Sequence, residues 1–280
     1  MARKRANTLR TVAVATLVLL TAAMSVRAEL IATWQFDPAD VSGSNVSASA
    51  GTGANATGTL IDNASATGGA LDLDGNGDYL QFGSNVADLR NLPAMTLAAW
   101  VNTDSTVDGD RRRIVEHEDN FYFWADGVDG PSAFQYTTHG TPGGYPDARA
   151  VSSTAPQVGT WQHVLAIYHG GGVPADIYID GVLEGTSASD QNTMPDNAQT
   201  LQIGARRSSS GSAEWFWDGQ LDDVAIWDNI LTQREIDMLS GRNSGGYPAR
   251  ITPTSIPEPT AVALLGSALA VMLLTRRRRG

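Results

Sequence analysis

Turn-forming residues recur throughout the middle of the chain, and they limit every regular element there to a few residues. Clusters of Gly, Ser, Asn and Asp return about every 8 to 15 residues, a spacing typical of a β-sandwich or barrel. Between these clusters, residues 175–180 and 221–227 alternate with the two-residue period of a strand. A single helix is predicted after Thr232, because Glu235 completes a capping box and Gly241 suits the helix end. The sequence therefore predicts an all-β domain with one short helix.

The start of the chain has the layout of a secretory signal peptide. Basic residues from Arg3 onward precede an apolar stretch over 12–24, and small residues Val26 and Ala28 mark a cleavage site. The apolar stretch is about 13 residues long, shorter than the ~20 residues that span a bilayer as a helix. A permanent N-terminal anchor is the alternative. We predict a signal peptide over residues 1–28 and export of the rest.

The end of the chain carries three parts in a fixed order. Pro257, Glu258 and Pro259 precede an apolar run over 260–275, and four arginines follow at 276–279. As a helix the run would be about 24 Å long, close to a ~30 Å hydrocarbon core. Arginines after a span stay cytoplasmic, so the physical interpretation is an exported protein with a C-terminal transmembrane helix.

This C-terminal segment resembles the PEP-CTERM sorting signal of Gram-negative bacteria. The resemblance implies transient retention in the membrane, then cleavage near the Pro-Glu-Pro motif by an exosortase-type sorting protease. The protein would then pass to the cell surface or the extracellular matrix. A simple tail anchor is the alternative.

Residues 29–250, between the signal peptide and the sorting segment 251–280, are strongly acidic. They contain ten arginines, no lysine and 29 acidic residues, a net charge of about −19 against −11 for the whole chain. Nucleic acid is excluded as a partner, because its binding depends on neutralisation of phosphates by Lys and Arg. Arg111–Arg113, followed by aromatic residues 121–124, is therefore interpreted as a solvated strand edge. The acidity suits divalent cations or simply solubility.

Several stretches of this middle region resemble one known domain in order and spacing. They lie at residues 34–37 (WQFD), 70–79 (ALDLDGNGDY), 95–181 and 201–236. Together they resemble the laminin G-like domain of the concanavalin A-like lectin/glucanase superfamily. The resemblance implies a two-sheet antiparallel jelly-roll sandwich over residues 29–250. The chain has no cysteines, so this domain must be held by its core or by metal ions.

The sequence shows no catalytic pattern. Glucanases of the resembled superfamily use the pattern Glu-x-Asp-x-x-Glu, in which an acid and a nucleophile share one strand face. The nearest cluster is 116–119, where Glu116 and Glu118 share a strand face just before a predicted turn. We therefore predict that the protein is not an enzyme. A polysaccharide hydrolase with an unrecognised site is the alternative.

Two acidic residues are the predicted ligands of a structural calcium ion. Asp37 follows the first predicted strand, and Asp222 lies in the last one. Calcium in the resembled superfamily often bridges these two strands through acidic side chains and backbone carbonyls, the oxygen ligands that it prefers. The alternative is that both carboxylates only cap turns.

Aromatic residues in predicted loops are the candidates for ligand contact. Tyr145 lies in a loop rich in Pro and Gly, and Trp215 and Trp217 follow one rich in Ser. Such rings stack on sugars, but the sequence leaves open whether they point into the core. We expect an exported surface or matrix binding or adhesion module whose partner is a polysaccharide or another surface protein. A structural matrix protein with no discrete ligand is the alternative.

Overall fold

The computed structural model describes residues 28–51, 57–66, 68–84, 89–138, 149–187, 194–196, 200–208 and 210–241. These residues form strands and one short helix. The strands are β1 Leu30–Trp34, β2 Val41–Ser42, β3 Asn45–Ser47, β4 Thr57–Ile61, β5 Leu71–Asp74, β6 Tyr79–Ser84, β7 Met95–Thr103, β8 Arg111–His117, β9 Phe121–Asp126, β10 Ala133–Thr138, β11 Ala150–Val151, β12 Gln162–Tyr168, β13 Asp176–Ile179, β14 Val182–Thr186, β15 Thr200–Ile203, β16 Arg206–Arg207, β17 Ala213–Glu214 and β18 Asp218–Trp227. The helix α1 spans Gln233–Leu239.

Two antiparallel sheets make up the sandwich. The seven-stranded sheet has the order β1-β18-β7-β12-β13-β14, with β5 also paired to β18. The nine-stranded sheet has the order β11-β10-β9-β8-β15-β6-β4-β3-β2. Strands β16 and β17 form a separate two-stranded hairpin. The predicted all-β fold with two antiparallel sheets is confirmed.

The main core lies between the two sheets and follows from the alternation of their strands. In β7, Leu97 and Val101 point into it, and Phe121 and Phe123 of β9 do so from the other sheet. Trp34 of β1 is fully buried there. Because successive side chains of a strand point to opposite faces, the residues between these core positions lie on the outer face of each sheet.

The outer face of the seven-stranded sheet carries a second, smaller core. Leu165 and Trp227 of this face pack with Ile236 and Leu239, which lie on α1. The helix begins at the predicted capping box, in which the Thr232 side chain accepts from the backbone N–H of residue 235. Helix α1 thus closes this face, as its apolar spacing requires.

Residues 42–58 are rich in Gly, Ser, Ala and Asn, a composition typical of a loop, yet part of this segment forms strands. Strand β3 and the start of β4 lie within this segment and pair with each other at the edge of the nine-stranded sheet. Val46 is fully buried in the main core. A single apolar residue among small polar ones therefore anchors two edge strands, which a compositional argument cannot detect.

Several predictions fall outside the described residues. These are the signal peptide up to residue 27, Tyr145, and the segment with Pro257, Glu258 and Pro259. Within the part of the chain that the structure describes, no helix is long and apolar enough to cross a membrane.

Candidate functional site

Trp217, expected to contact a ligand, lies in the main core. Its side chain is 0% exposed, and its indole N–H donates to the backbone carbonyl of Asn102 at 3.4 Å. A ring without an exposed face cannot stack on a sugar, so the expectation for Trp217 is corrected. Its burial follows from the backbone N–H of Trp217, which donates to Gly204 O at 2.8 Å and fixes the entry into β18.

The two predicted calcium ligands lie on or near paired strands. Strands β1 and β18 pair, with Trp34 opposite Val224, and Asp37 and Asp222 lie beyond this pair. Asp222 is 8% exposed, and its Oδ1 accepts the backbone N–H of Asp223 at 2.7 Å. Within the described residues no group of three or more His, Asp or Glu side chains could hold a metal ion. Two carboxylates give too few of the six to eight oxygens that calcium takes, so backbone carbonyls and water would have to supply the rest.

A row of polar side chains crosses the outer face of the nine-stranded sheet. Gln202 of β15 lies opposite both Gln81 of β6 and Glu116 of β8. Glu116 lies opposite Tyr122 of β9, which lies opposite Thr137 of β10. Directly opposed residues share a face, and the neighbouring residues of these strands fill the main core. The row therefore faces away from the core.

A β-bulge in β8 adds Arg113 to the same face. The register shifts between Arg113 and Val115, and Ile114 and Val115 both point into the main core. Residues three apart in a regular strand lie on opposite faces, but the extra residue returns Arg113 and Glu116 to one face. Arg113 Nε donates to Glu116 Oε2 at 2.5 Å.

Aromatic rings enclose the Arg113 guanidinium, which is part of a side chain only 5% exposed. Its carbon lies 5.0 Å from the ring centroid of Tyr122, 4.9 Å from Trp124 and 4.7 Å from Trp215. Such cation–π contacts are worth up to about 2 kcal/mol each when water is excluded. Burial lowers the pKa of Arg113, and the charge of Glu116 opposes this. The solvated strand edge predicted for this arginine is wrong.

Two acceptor oxygens at this place have no hydrogen-bond donor. Glu116 is 1% exposed, and its Oε1 has no partner, although Oε2 accepts from Arg113. Gln202 is 2% exposed, and its Oε1 also has no partner. Burial raises the pKa of Glu116 to about 7, and the neighbouring Arg113 opposes the shift. An unpaired buried acceptor costs about 1–3 kcal/mol, so both oxygens suit a donor from outside the chain.

Three half-buried aromatic rings contact the neighbours of these two side chains. Trp215 has a φ of 57°, in the left-handed region that a bulky residue rarely adopts. The guanidinium carbon of Arg206 lies 4.3 Å from the Trp215 ring centroid, and that of Arg113 lies 4.7 Å from it. Phe216 and Tyr79 are also half-buried, with centroids 6.2 Å apart. These three rings present the aromatic surface that a ligand could reach.

The outer-face cluster consists of Arg113, Glu116, Tyr122, Trp124, Gln202 and Trp215. Sequence reasoning singled out Glu116 as the nearest approach to a catalytic residue, but it did not join Glu116 to the arginine and the rings. The bulge at residue 114 is the reason, because it breaks the two-residue period on which that reasoning depends. Glycine and proline patterns predict turns, but they do not predict this bulge.

Comparisons with known proteins agree with this architecture. A family model described as the Concanavalin A-like lectin/glucanases superfamily matches residues 74–237, which include the whole outer-face cluster. No curated protein matches the chain.

Three solved structures share the fold at low identity. Domain 4 of AbnA, a GH43 extracellular arabinanase from Geobacillus stearothermophilus in complex with arabinotriose, is 17% identical, with a TM-score of 0.54 over 76% of this chain and 98% of that domain. The receptor binding domain of botulinum neurotoxin C/D mosaic serotype is 12% identical, with a TM-score of 0.57 over 76% and 51%. A third structure, titled for the cell entry of botulinum neurotoxin type C through two ganglioside molecules, is 12% identical, with a TM-score of 0.54 over 78% and 52%. This chain thus spans about half the length of the two toxin chains.

Proposed function

The chain belongs to the concanavalin A-like lectin/glucanases superfamily, and from that membership we propose that its domain binds a carbohydrate on the outer face of the nine-stranded sheet. The observation that carries the proposal is the pair of buried oxygens without donors, Glu116 Oε1 and Gln202 Oε1. The half-buried ring of Trp215 contacts Arg113, the ion-pair partner of Glu116. The Tyr79 hydroxyl donates to Gln81, which lies opposite Gln202. A sugar carries hydroxyl groups that can donate to the two unpaired oxygens. It also has an apolar face that can stack on an aromatic ring.

Two of the solved structures support a sugar ligand. The arabinanase domain was solved with arabinotriose, and cell entry of botulinum neurotoxin type C depends on interaction with two ganglioside molecules. Both ligands contain sugars, and both proteins share the sandwich architecture. Fold alone does not give function, and it is the outer-face cluster of this chain that offers unpaired acceptors to a sugar.

We propose that the domain binds its ligand without turnover. A retaining or inverting hydrolase needs two carboxyl groups on one face, one to protonate the leaving group and one to attack or to activate water. Glu116 is paired with Arg113 instead, and Glu118 lies past the end of β8, where its carboxylate accepts from Arg207 at 3.2 Å. The arrangement of these two acids suits ligand positioning.

The two ends of the chain place this binding activity outside the cell in our proposal. A signal peptide over residues 1–28 would export the protein. The segment 251–280 would retain it in the membrane until a sorting protease of the exosortase type releases it near Pro257–Pro259. The partner is then a polysaccharide of the cell surface or extracellular matrix, and Tyr145 remains a proposed further contact to it.

The experiment compares two tryptophans that are both half-buried. A glycan array followed by calorimetry is carried out on the wild-type chain and on the Trp215→Ala and Trp161→Ala variants. Truncation of an aromatic contact in a binding site costs about 2 kcal/mol, so Trp215→Ala weakens binding at least tenfold. Trp161 precedes β12 in the other sheet, and its variant keeps the wild-type affinity. Absence of glycan binding by the wild-type chain, or equal loss in both variants, would refute the proposal.

A further inference from the structure

We propose that Glu116 Oε1 and Gln202 Oε1 form a subsite that accepts hydrogen bonds from two adjacent hydroxyl groups of a neutral sugar. This inference rests on the proposed function and specifies the class of sugar. It assigns a role to two oxygens that the folded chain leaves without donors.

The register of β8 and β15 brings the two side chains together. Gln202 and Glu116 are directly opposed across the antiparallel pair, on the outer face of the sheet. Opposed residues in such a pair have Cβ atoms about 4.5–5.5 Å apart. Two side chains that leave neighbouring strands from this spacing can both reach the same ring of a ligand. Neighbouring hydroxyl groups of one sugar ring therefore match the pair.

The chemistry of the pair selects against other ligands. With the Glu116 carboxylate ionised and paired with Arg113, both orphaned atoms are acceptors, so a carboxylate or sulfate group has no proton to give them. A cationic amine could donate, but the guanidinium groups of Arg113 and Arg206 both lie within contact of the Trp215 ring beside the pair. Their positive charges oppose a second cation at a place with little water. Neutral hydroxyl groups satisfy the oxygens without that repulsion.

Entry to the subsite requires side-chain movement. Both oxygens are buried, and the Trp215 ring covers Arg113 and contacts Arg206. The Arg206 side chain also donates to Glu214 at 3.0 Å, across a hairpin of only two residue pairs. A ligand therefore enters by rotation of these two half-buried side chains, and its own contacts must replace the cation–π contacts and the ion pair that the rotation breaks. Trp215 would then stack on the sugar that it admits.

The test uses two glutamines of the same row. Gln202→Met removes an acceptor that has no donor, and Gln81→Met removes one that accepts from the Tyr79 hydroxyl at 3.4 Å. Affinities are measured by calorimetry for neutral trisaccharides of glucose, xylose and arabinose, and for trisaccharides of glucosamine and galacturonic acid. Thermal melts of each variant accompany them.

We expect the wild-type chain to bind a neutral trisaccharide more tightly than either charged one. Gln202→Met lowers that affinity at least tenfold while its melting temperature stays equal or rises, because an unpaired buried acceptor is lost. Gln81→Met stays within about twofold of the wild type. A purely structural role for Gln202 would instead lower stability.

Three outcomes would overturn the inference. Preference for a charged trisaccharide contradicts the ligand class. Unchanged affinity in Gln202→Met, together with lost affinity in Trp215→Ala, removes the subsite and leaves the proposed function standing. Failure of the wild-type chain to bind any glycan removes both.

Discussion

The two sheets of the sandwich differ in how their outer faces are finished. On the seven-stranded sheet, Ala225, Ala98, Leu165 and Tyr178 form one cross-strand row, which packs in the same apolar cluster as residues of α1. On the nine-stranded sheet, the corresponding row holds Gln81, Gln202, Glu116, Tyr122 and Thr137. The helix that the structure describes covers only the first face.

This difference separates a stability role from the binding role that we propose. Apolar area removed from water by α1 stabilises the fold at about 25 cal/mol per Å². The outer-face cluster instead leaves two buried acceptors unpaired, which costs about 1–3 kcal/mol each in the free protein. The face that α1 covers also leaves the ring nitrogens Trp227 Nε1 and His163 Nδ1 buried without partners. The difference is that α1 already packs on that face, whereas the unpaired oxygens of the outer-face cluster lie on a face that no described helix covers.

The largest expected effect on stability comes from the outer face of the seven-stranded sheet, here called the closed face because α1 covers it; the outer face of the nine-stranded sheet is called the open face. Trp227→Ala removes a fully buried ring that packs against α1, and we expect a loss of about 3–5 kcal/mol in the free energy of unfolding. Urea denaturation measures it. Trp215→Ala, on the other face, is the control and costs about 1–2 kcal/mol, because its ring is half-buried and the variant loses mainly cation–π contacts. Equal costs would mean that the two faces do not divide the roles.

The next effect concerns the ion pair of the outer-face cluster. Arg113→Met leaves the Glu116 carboxylate buried without its partner, and we expect a loss of about 3 kcal/mol at pH 8 by urea denaturation. The double variant Arg113→Met/Glu116→Gln recovers most of that loss, since no charge remains unpaired. If the double variant is as unstable as the single one, packing of Arg113 between the rings matters more than the charge.

The third effect is the stabilisation of the fold by calcium. It concerns the seven-stranded sheet, because the predicted ligand Asp222 lies opposite Trp100 there. Calcium at a hundred times its dissociation constant stabilises a fold by about 3 kcal/mol. We therefore expect the melting temperature to rise by several degrees over that in a chelator, and Asp222→Asn to abolish the rise. An unchanged melting temperature in the wild-type chain would leave both carboxylates as turn caps.

The smallest effect is a pH dependence of opposite sign on the two faces. Burial raises the pKa of Glu116 to about 7 from 4.5, so its contribution to stability is full below pH 4.5 and declines as the pH rises to 7. Burial lowers the pKa of His163, on the seven-stranded sheet beside Trp100, to about 3 from 6.5. Its contribution is full above pH 6.5 and declines as the pH falls.

Denaturation at several pH values separates the two groups. Relative to Glu116→Gln, the wild-type chain loses about 1 kcal/mol per pH unit as the pH rises between 5 and 7. Relative to His163→Gln, it loses a similar amount per unit as the pH falls from 6 to 4. Slopes of the same sign would show that one of these side chains is not buried in the folded chain.

The sequence predicts the closed face better than the open one. The capping box at Thr232 and the apolar spacing of Ile236 and Leu239 depend on local patterns, and the structure has both. The pairing of Arg113 with Glu116 depends on a bulge, which shifts the face of every residue on one side of it. No local sequence pattern predicts that shift. Whether a tryptophan such as Trp217 points into the core depends on the packing of the opposite sheet, which local sequence does not show.

Hydrogen exchange with and without a bound neutral trisaccharide tests the division between the two faces most directly. Mass spectrometry of the wild-type chain follows backbone amides in β8, β9 and β15 on one face and in α1 on the other. We predict slower exchange in β8, β9, β15 and around Trp215 when the sugar is bound, with α1 unchanged. Slower exchange in α1, with β8 and β15 unaffected, would contradict the account.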